Sequence, residues 1–156
     1  MANLCIVGLE KLKGILLADA NAVLGESGKK TLEEKSVRLE NVPADLADEN
    51  RSTVYPAVYL YTARMDNVLR RKFAGFSGPI RLVADVRCTG ERYEGLEGEL
   101  ASYVEAVITA LGGSAGPWGE GLIYNGAYTV KFEPVKLGGR NFIQSARVEL
   151  EVEGYG

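Results

Sequence analysis

The strongest constraint on the fold is a strict alternation near the end of the chain. Residues 142–153 place apolar and charged side chains on opposite faces: Ala146, Val148, Leu150 and Val152 against Arg147, Glu149, Glu151 and Glu153. Successive side chains of a strand point to opposite faces, so this pattern predicts a strand with one buried and one solvated face. Such a strand needs an apolar layer to cover it, which limits the folds open to the chain.

Three further segments are predicted as strands. Residues 54–62 are rich in β-branched and aromatic side chains, with Pro56 near the strand start because it lacks a ladder donor. Residues 80–88 alternate, and residues 122–133 carry spaced aromatic and apolar side chains. Residues 65–76 fit either a helical stripe or a hairpin strand, and the pattern alone does not decide between them.

Two segments have the apolar period of a helix. Residues 91–111 form one apolar arc, with Thr89 as the expected N-cap and Gly112-Gly113 as the end. Residues 3–25 form the other helix, whose predicted apolar face is Leu9, Leu12, Leu16, Ala20 and Val23. The order of elements predicts an α+β fold, a mostly antiparallel sheet with helices packed on one face, in a single domain over 1–156.

A charged arm at 26–52 interrupts this pattern. Its twelve charged residues are Glu26, Lys29, Lys30, Glu33, Glu34, Lys35, Arg38, Glu40, Asp45, Asp48, Glu49 and Arg51. Large apolar residues are sparse there, which predicts an exposed excursion with one short edge strand at 36–40. The sequence leaves open whether the arm is mobile, and whether it contacts a partner or is a solvated loop.

The composition offers little for catalysis. The chain has no histidine, which excludes Ser-His-Asp and Cys-His catalysis and removes the commonest zinc ligand. Cys5 and Cys88 are isolated and read as reduced thiols. Asp85 shares a strand face with Arg81 and Arg87, which indicates cross-strand pairing rather than acid–base chemistry. We therefore predict no catalytic residue, no cofactor and no metal site, and a protein that is not an enzyme.

Charge and hydropathy narrow the partners. The net charge is -3, without the basic surplus typical of nucleic-acid binders. No segment approaches the ~20 apolar residues of a membrane helix. Lys11 and Lys13 interrupt the N-terminal stretch that would be the hydrophobic region of a signal peptide. We expect no membrane contact and a location in the cytoplasm of the cell that makes the chain.

Aromatic and basic residues near the ends of elements are the candidates for partner contacts. A Gly-rich loop at 112–121 holds the only tryptophan, and the connection at 134–141 is long enough to project beyond the sheet. A basic cluster contains Arg64, Arg70, Arg71 and Lys72. The predicted interface residues are Trp118, Arg140, Asn141, Tyr124, Arg70 and Arg71. For Trp118 the alternative is that it folds back onto the helix end as part of the core.

Four segments carry a resemblance to a known family. They are Tyr-Pro-Ala-Val-Tyr-Leu-Tyr (55–61), Arg-Arg-Lys-Phe-Ala-Gly-Phe-Ser-Gly (70–78), Val-Ala-Asp-Val-Arg (83–87) and Gly-Gly-Arg-Asn-Phe-Ile-Gln-Ser-Ala (138–146). Together with Pro-Trp-Gly-Glu-Gly (117–121), they resemble phage and prophage tail proteins of the tail-terminator type. The resemblance covers about residues 54–153 and leaves the charged arm unmatched.

The resemblance implies a structural virion protein at the tail-neck junction. Such proteins form a hexameric ring on the last ring of the tail tube, stop tube growth and present a surface to the head-side connector or stopper protein. Six chains of charge -3 carry -18 together, which suits a channel that DNA crosses without sequence-specific binding. Two alternatives stay open: another neck protein, such as a stopper or head-completion protein, and a small-molecule-binding domain or enzyme that uses the Gly-rich loop.

Overall fold

One curled sheet of seven strands organises the described part of this chain. The computed structural model describes residues 3–44, 47, 53–68, 75–139 and 141–156. The strands are β1 (Val37–Arg38), β2 (Ala57–Met65), β3 (Ser77–Gly90), β4 (Gly116–Gly119), β5 (Leu122–Phe132), β6 (Lys136–Leu137) and β7 (Phe142–Tyr155). The helices are α1 (Leu4–Ile15), a π-helical segment (Leu16–Ala20), α2 (Asn21–Glu26), a 3₁₀ turn (Glu34–Ser36) and α3 (Leu96–Gly112).

The sheet is antiparallel except at one edge. Its strand order is β1-β2-β3-β7-β5-β4, and β6 also pairs with β7. β1 runs parallel to β2, and all other pairs are antiparallel. The central pair of β3 and β7 holds its register from Ser77↔Tyr155 to Gly90↔Phe142. The predicted α+β class, with a mostly antiparallel sheet, is confirmed.

The helices cover one face of the sheet, which we call the helix face. Leu82, Val86, Val148 and Leu150 from the sheet pack with Leu12, Leu16, Leu100, Val107 and Leu111 from the helices. Each fully buried side chain of this kind contributes roughly 1.5–3 kcal/mol before the loss of conformational entropy. The opposite face, which we call the outer face, carries Tyr59, Asp85, Arg87 and Arg147 among others.

Helix α3 buries the predicted apolar arc but begins later than predicted. Its N-cap is Gly95, with φ 79, rather than Thr89. Thr89 lies in β3, paired with Ile143, because that strand continues to Gly90. The helix ends at Gly112 with Gly113 as its C-cap, as predicted.

The first helix contains a π-helical segment that changes which residues it buries. The prediction placed Val23 on the apolar face, but Leu24 is the buried residue and Val23 is only partly buried. Leu12, Leu16, Ala20 and Leu24 are buried at intervals of four residues. A π turn holds more residues than an α turn, so a spacing of four stays on one face through the segment.

The charged arm is anchored at several points in its described residues. Leu32 and Val37 are buried, and the Asn21 side chain bonds both backbone groups of Leu32, over 2.7 and 2.9 Å. The Tyr103 hydroxyl donates to the carbonyl of Lys30 at 2.9 Å. The short edge strand predicted at 36–40 is present as β1. The prediction of an exposed excursion therefore fits the charged side chains that the structure describes and is wrong for Leu32 and Val37.

Two predicted loops contain short strands. Within 112–121, β4 pairs with β5, and within 134–141, β6 pairs with β7. Both segments lie along the sheet because their backbones complete its ladders. Of the ambiguous segment 65–76, Met65 ends β2, residues 66–68 have no regular structure, and 69–74 lie outside the described residues.

Candidate assembly surfaces

Trp118 lies on β4, half-buried against the end of α3. Its indole Nε1 donates to the carbonyl of Ser114 at 2.9 Å. Its ring lies 5.5 Å from the ring of Tyr124, at 55°. The indole therefore covers the core on one side and reaches solvent on the other. Both roles considered for Trp118 are compatible with this position, as core packing and as a surface anchor.

The other predicted interface residues are spread over the fold. Tyr124 is 1% exposed, and its hydroxyl donates to the carbonyl of Ala127 at 3.1 Å. The structure thus places Tyr124 in the core, and of this pair only Trp118 has surface to offer a partner. Asn141 lies in the turn before β7, where its carbonyl accepts from Gly138 at 2.8 Å. Arg70, Arg71 and Arg140 lie outside the described residues.

The last half of β5 forms a free edge of the sheet. β4 pairs with β5 only as far as Tyr124. Among the described residues, no strand therefore pairs with 127–132 on the side that points away from β7. Tyr128 and Phe132 lie on the helix face, opposite Leu150 and Ala146 of β7, yet are 42% and 40% exposed. An exposed edge with apolar side chains is a template for another strand.

The hydrogen-bonding groups of this edge point away from β7. The Glu133 amide donates to the Ser145 carbonyl at 2.9 Å, directly across the ladder. Antiparallel pairs alternate, so Thr129 and Lys131 also bond to β7. The amides and carbonyls of Tyr128, Val130 and Phe132 therefore face the free edge.

A groove lies beside β1, the strand at the opposite edge of the sheet. It measures about 660 Å³. Its lining is Lys13, Glu33, Glu34, Lys35, Val37, Arg38, Leu39 and Glu40. Three cations and three carboxylates balance there, and Arg38 pairs with Glu40 at 3.0 Å. Among the described residues, β1 pairs only with β2, so its other edge opens into this β1 groove.

A buried ion pair occupies the outer face beneath the charged arm. Arg87 donates to Asp85 at 2.9 Å, lies 4.1 Å from the centre of the Tyr59 ring, and also donates to the carbonyl of Val42. Burial raises the pKa of the Asp85 carboxyl, and the charge of Arg87 opposes that rise. A polar cavity of about 240 Å³ adjoins the pair. The predicted cross-strand partner is corrected: Asp85 pairs with Arg87 on its own strand, and Arg81 pairs with Glu151.

In the described residues, Cys, Asp and Glu side chains form no group of three that could hold a metal ion. Burial raises the pKa of the Cys88 thiol to about 12, which leaves it protonated and unreactive. No helix in the described part of the chain is long and apolar enough to cross a membrane.

Sequence reasoning predicted the edge strand at 36–40 and missed the free edge of β5. The free edge of β5 exists because β4 ends early. β4 lies within the segment 112–121, which the sequence analysis predicts to be a Gly-rich loop. A signal was present: Glu120-Gly121 has the composition of a two-residue hairpin turn, and φ is 53 and 84 at these positions.

Comparison with known proteins gives a likeness to solved structures. No family model matches the chain, and no curated protein matches it. Among solved structures, it is similar to a chain in the "Virion of native gene transfer agent (GTA) particle". That match has 16% identity, covers 93% of this chain and 92% of that chain, and has a TM-score of 0.45.

Proposed function

We propose that this chain is a structural virion protein of the tail-terminator type. It forms a hexameric ring on the end of a tail tube, stops tube growth and joins the tail to the head-side connector. The observation that carries the proposal is that, in the described residues, the sheet has two different unpaired edges, at β5 on one side and at β1 on the other. Heterologous contacts between such surfaces generate rings when the rotation closes.

Three further features support a structural role in the virion. The segments at 55–61, 70–78, 83–87 and 138–146 resemble tail terminators. Asp85 and Glu151 are engaged in ion pairs with Arg87 and Arg81, which gives these carboxylates a structural role. The net charge of -3 per chain suits a ring through which DNA slides without binding.

The proposal assigns Trp118 and the neighbouring turn to partner contact. Trp118, Pro117, Ser114 and Ala115 line a shallow depression with Lys11 and Ile15 from the first helix. A half-exposed indole in such a depression is the kind of anchor that protein interfaces use. Asn141, in the turn before β7, is proposed as a further contact with the tube or the connector. The same role is proposed for Arg70, Arg71 and Arg140, which lie outside the described residues.

Imaging of the purified chain with tail-tube protein tests the function. We expect six-fold rings at one end of each tube, and tubes of limited length in the presence of the chain. The chain without tube protein serves as a control for ring closure in solution. Five-fold or twelve-fold rings, or tubes that grow without limit and carry no cap, would overturn the proposal. Rings that bind the head connector but not the tube would favour a stopper protein instead.

A further inference from the structure

We infer that the ring closes by strand addition: the free edge of β5 in one copy enters the β1 groove of the next copy and pairs with its β1 edge. This inference rests on the proposed ring and specifies how its subunits join. The occupant of the groove is therefore a second copy of this chain.

The strand directions make this contact possible without inverting a subunit. β1 and β2 are parallel, and β2, β3, β7 and β5 alternate, so β5 runs opposite to β1. A rotation about an axis along the strands preserves strand direction and keeps the helix face on the same side. Under that rotation, β5 of one copy meets β1 of the next as an antiparallel neighbour.

The alternation of side chains between the two sheet faces limits the register between β5 of one copy and β1 of the next. Val130 and Phe132 lie on the helix face, and so do Val37 and, two residues later, Leu39. Thr129, Lys131 and Glu133 lie on the outer face, as do Arg38 and Glu40. Directly opposed residues of an antiparallel pair share a face, so outer-face residues of β5 must oppose outer-face residues of β1.

Charge pairing favours one register among those that the alternation of faces allows. When Lys131 opposes Glu40 of the next copy, Glu133 opposes Arg38, and Phe132 opposes Leu39. A shift of two residues in one direction places Lys131 against Arg38, which are both positively charged. The same shift in the other direction places Glu133 against Glu40, which are both negatively charged. The matched register therefore joins two opposite-charge pairs and covers the exposed ring of Phe132.

The alternative occupant of the β5 edge is a second β5, related by a two-fold axis. That arrangement closes at two copies, leaves the β1 groove unused and gives Lys131 no acidic partner from Glu40. The two arrangements differ in whether Glu40 matters for assembly.

A charge exchange tests the register in the presence of tail-tube protein. The variants are Lys131→Glu, Glu40→Lys and the double variant, each compared with wild type by ring counts in micrographs and by ring mass. We expect each single variant to raise the concentration needed for half-assembly at least about fivefold, and the double variant to return it to about the wild-type value. Arg92→Glu and Glu105→Lys make the same charge changes at exposed positions outside both edges and should assemble as wild type does.

A proline pair tests the backbone contact independently of charge. Val130→Pro removes an amide that faces the free edge, whereas Thr129→Pro removes an amide that bonds to β7. We expect Val130→Pro to melt close to the wild-type temperature and to form no rings. Thr129→Pro should melt early.

The outcomes separate this inference from the proposed function. Wild-type rings with single charge variants that assemble normally would overturn the strand pairing and leave the ring standing. A double variant no better than the single ones would do the same, as would rings from a folded Val130→Pro. If only Lys131→Glu weakens a two-copy assembly, the two-fold alternative is correct. Wild-type protein that forms no ring with tube protein would overturn both proposals.

Discussion

Arg87 donates a hydrogen bond from Nη2 to Oδ2 of Asp85 over 2.9 Å, and both residues are almost fully buried. They stand two positions apart on β3, so one strand supplies both charges to the outer face. The carbonyl of Val42 and the ring of Tyr59 complete the surroundings of the guanidinium. The pair thus joins the charged arm to the centre of the sheet.

Removing one member of this pair should be far worse than removing both. We expect Asp85→Ala to lower the free energy of unfolding by about 3–5 kcal/mol, because the Arg87 charge stays buried without its carboxylate. The double variant Asp85→Leu/Arg87→Met should recover most of that loss. Urea unfolding of both variants measures the difference. A double variant that is no more stable than Asp85→Ala would contradict this account.

Helix α3 gives a prediction for the core. Val104 is 4% exposed, so Val104→Asp loses a buried side chain and places an unpaired carboxylate among apolar groups. We expect a loss of at least about 3 kcal/mol, or insoluble protein. Ala101→Asp, at an exposed position of the same helix, is the matched control and should lose well under half as much. Equal melting of the two variants would refute the placement of α3.

Trp118 should contribute to both folding and partner contact. Trp118→Ala removes the packing on Tyr124 and the bond to Ser114, so we expect a loss of about 1–3 kcal/mol in the free energy of unfolding and weaker binding to tail-tube protein. Trp118→Phe keeps a ring on Tyr124 but loses the donor, and should lose about 1 kcal/mol. Thermal melting together with a tube-binding assay separates the effects. Normal tube binding by folded Trp118→Ala would exclude this residue as an anchor.

The two cysteines should differ in reactivity. At pH 8 we expect rapid labelling of Cys5, which is partly exposed, and labelling of Cys88 only on unfolding. Because burial raises the pKa of Cys88 from 9.0 to about 12, the native state holds this proton more tightly than the unfolded state does. The resulting stability is fully present below pH 9 and is lost as the pH rises towards 12.

The stability advantage of wild type over Cys88→Ala should therefore shrink across that pH range. Urea unfolding at several pH values measures this advantage. Tyr103 has a raised pKa in the same range, but it is present in both proteins and largely cancels from the comparison. An advantage that stays constant from pH 9 to 12 would contradict the buried thiol.

Periodicity made the central elements predictable. β7 alternates without a break, so Val148 and Leu150 lie on the helix face as expected. The arc of α3 was equally clear, because Leu100, Val104 and Leu111 repeat at the helical period. In both cases the same side chains decide the local structure and the buried face, so pattern and packing agree.

The assembly surfaces were less predictable because they depend on contacts distant in sequence. The burial of Asp85 and Arg87 requires the backbone of the charged arm above them, and nothing near residue 85 encodes that cover. The free edge of β5 depends on where β4 stops, and composition does not specify that point. The sequence predicts Tyr124 as an interface residue, and it does not show that Trp118, on another strand, covers the Tyr124 ring.

The π-helical segment determines the direction, around the helix axis, in which the side chains of the following residues point. Asn21 comes directly after the segment, and its amide holds Leu32 at the beginning of the path to β1. An α-helix turns by about 100° per residue, so loss of one residue from Leu16–Ala20 would swing Asn21 away from Leu32 by roughly that angle. Length variation in this segment is therefore a means by which related chains could release or re-aim the arm while leaving the sheet unchanged.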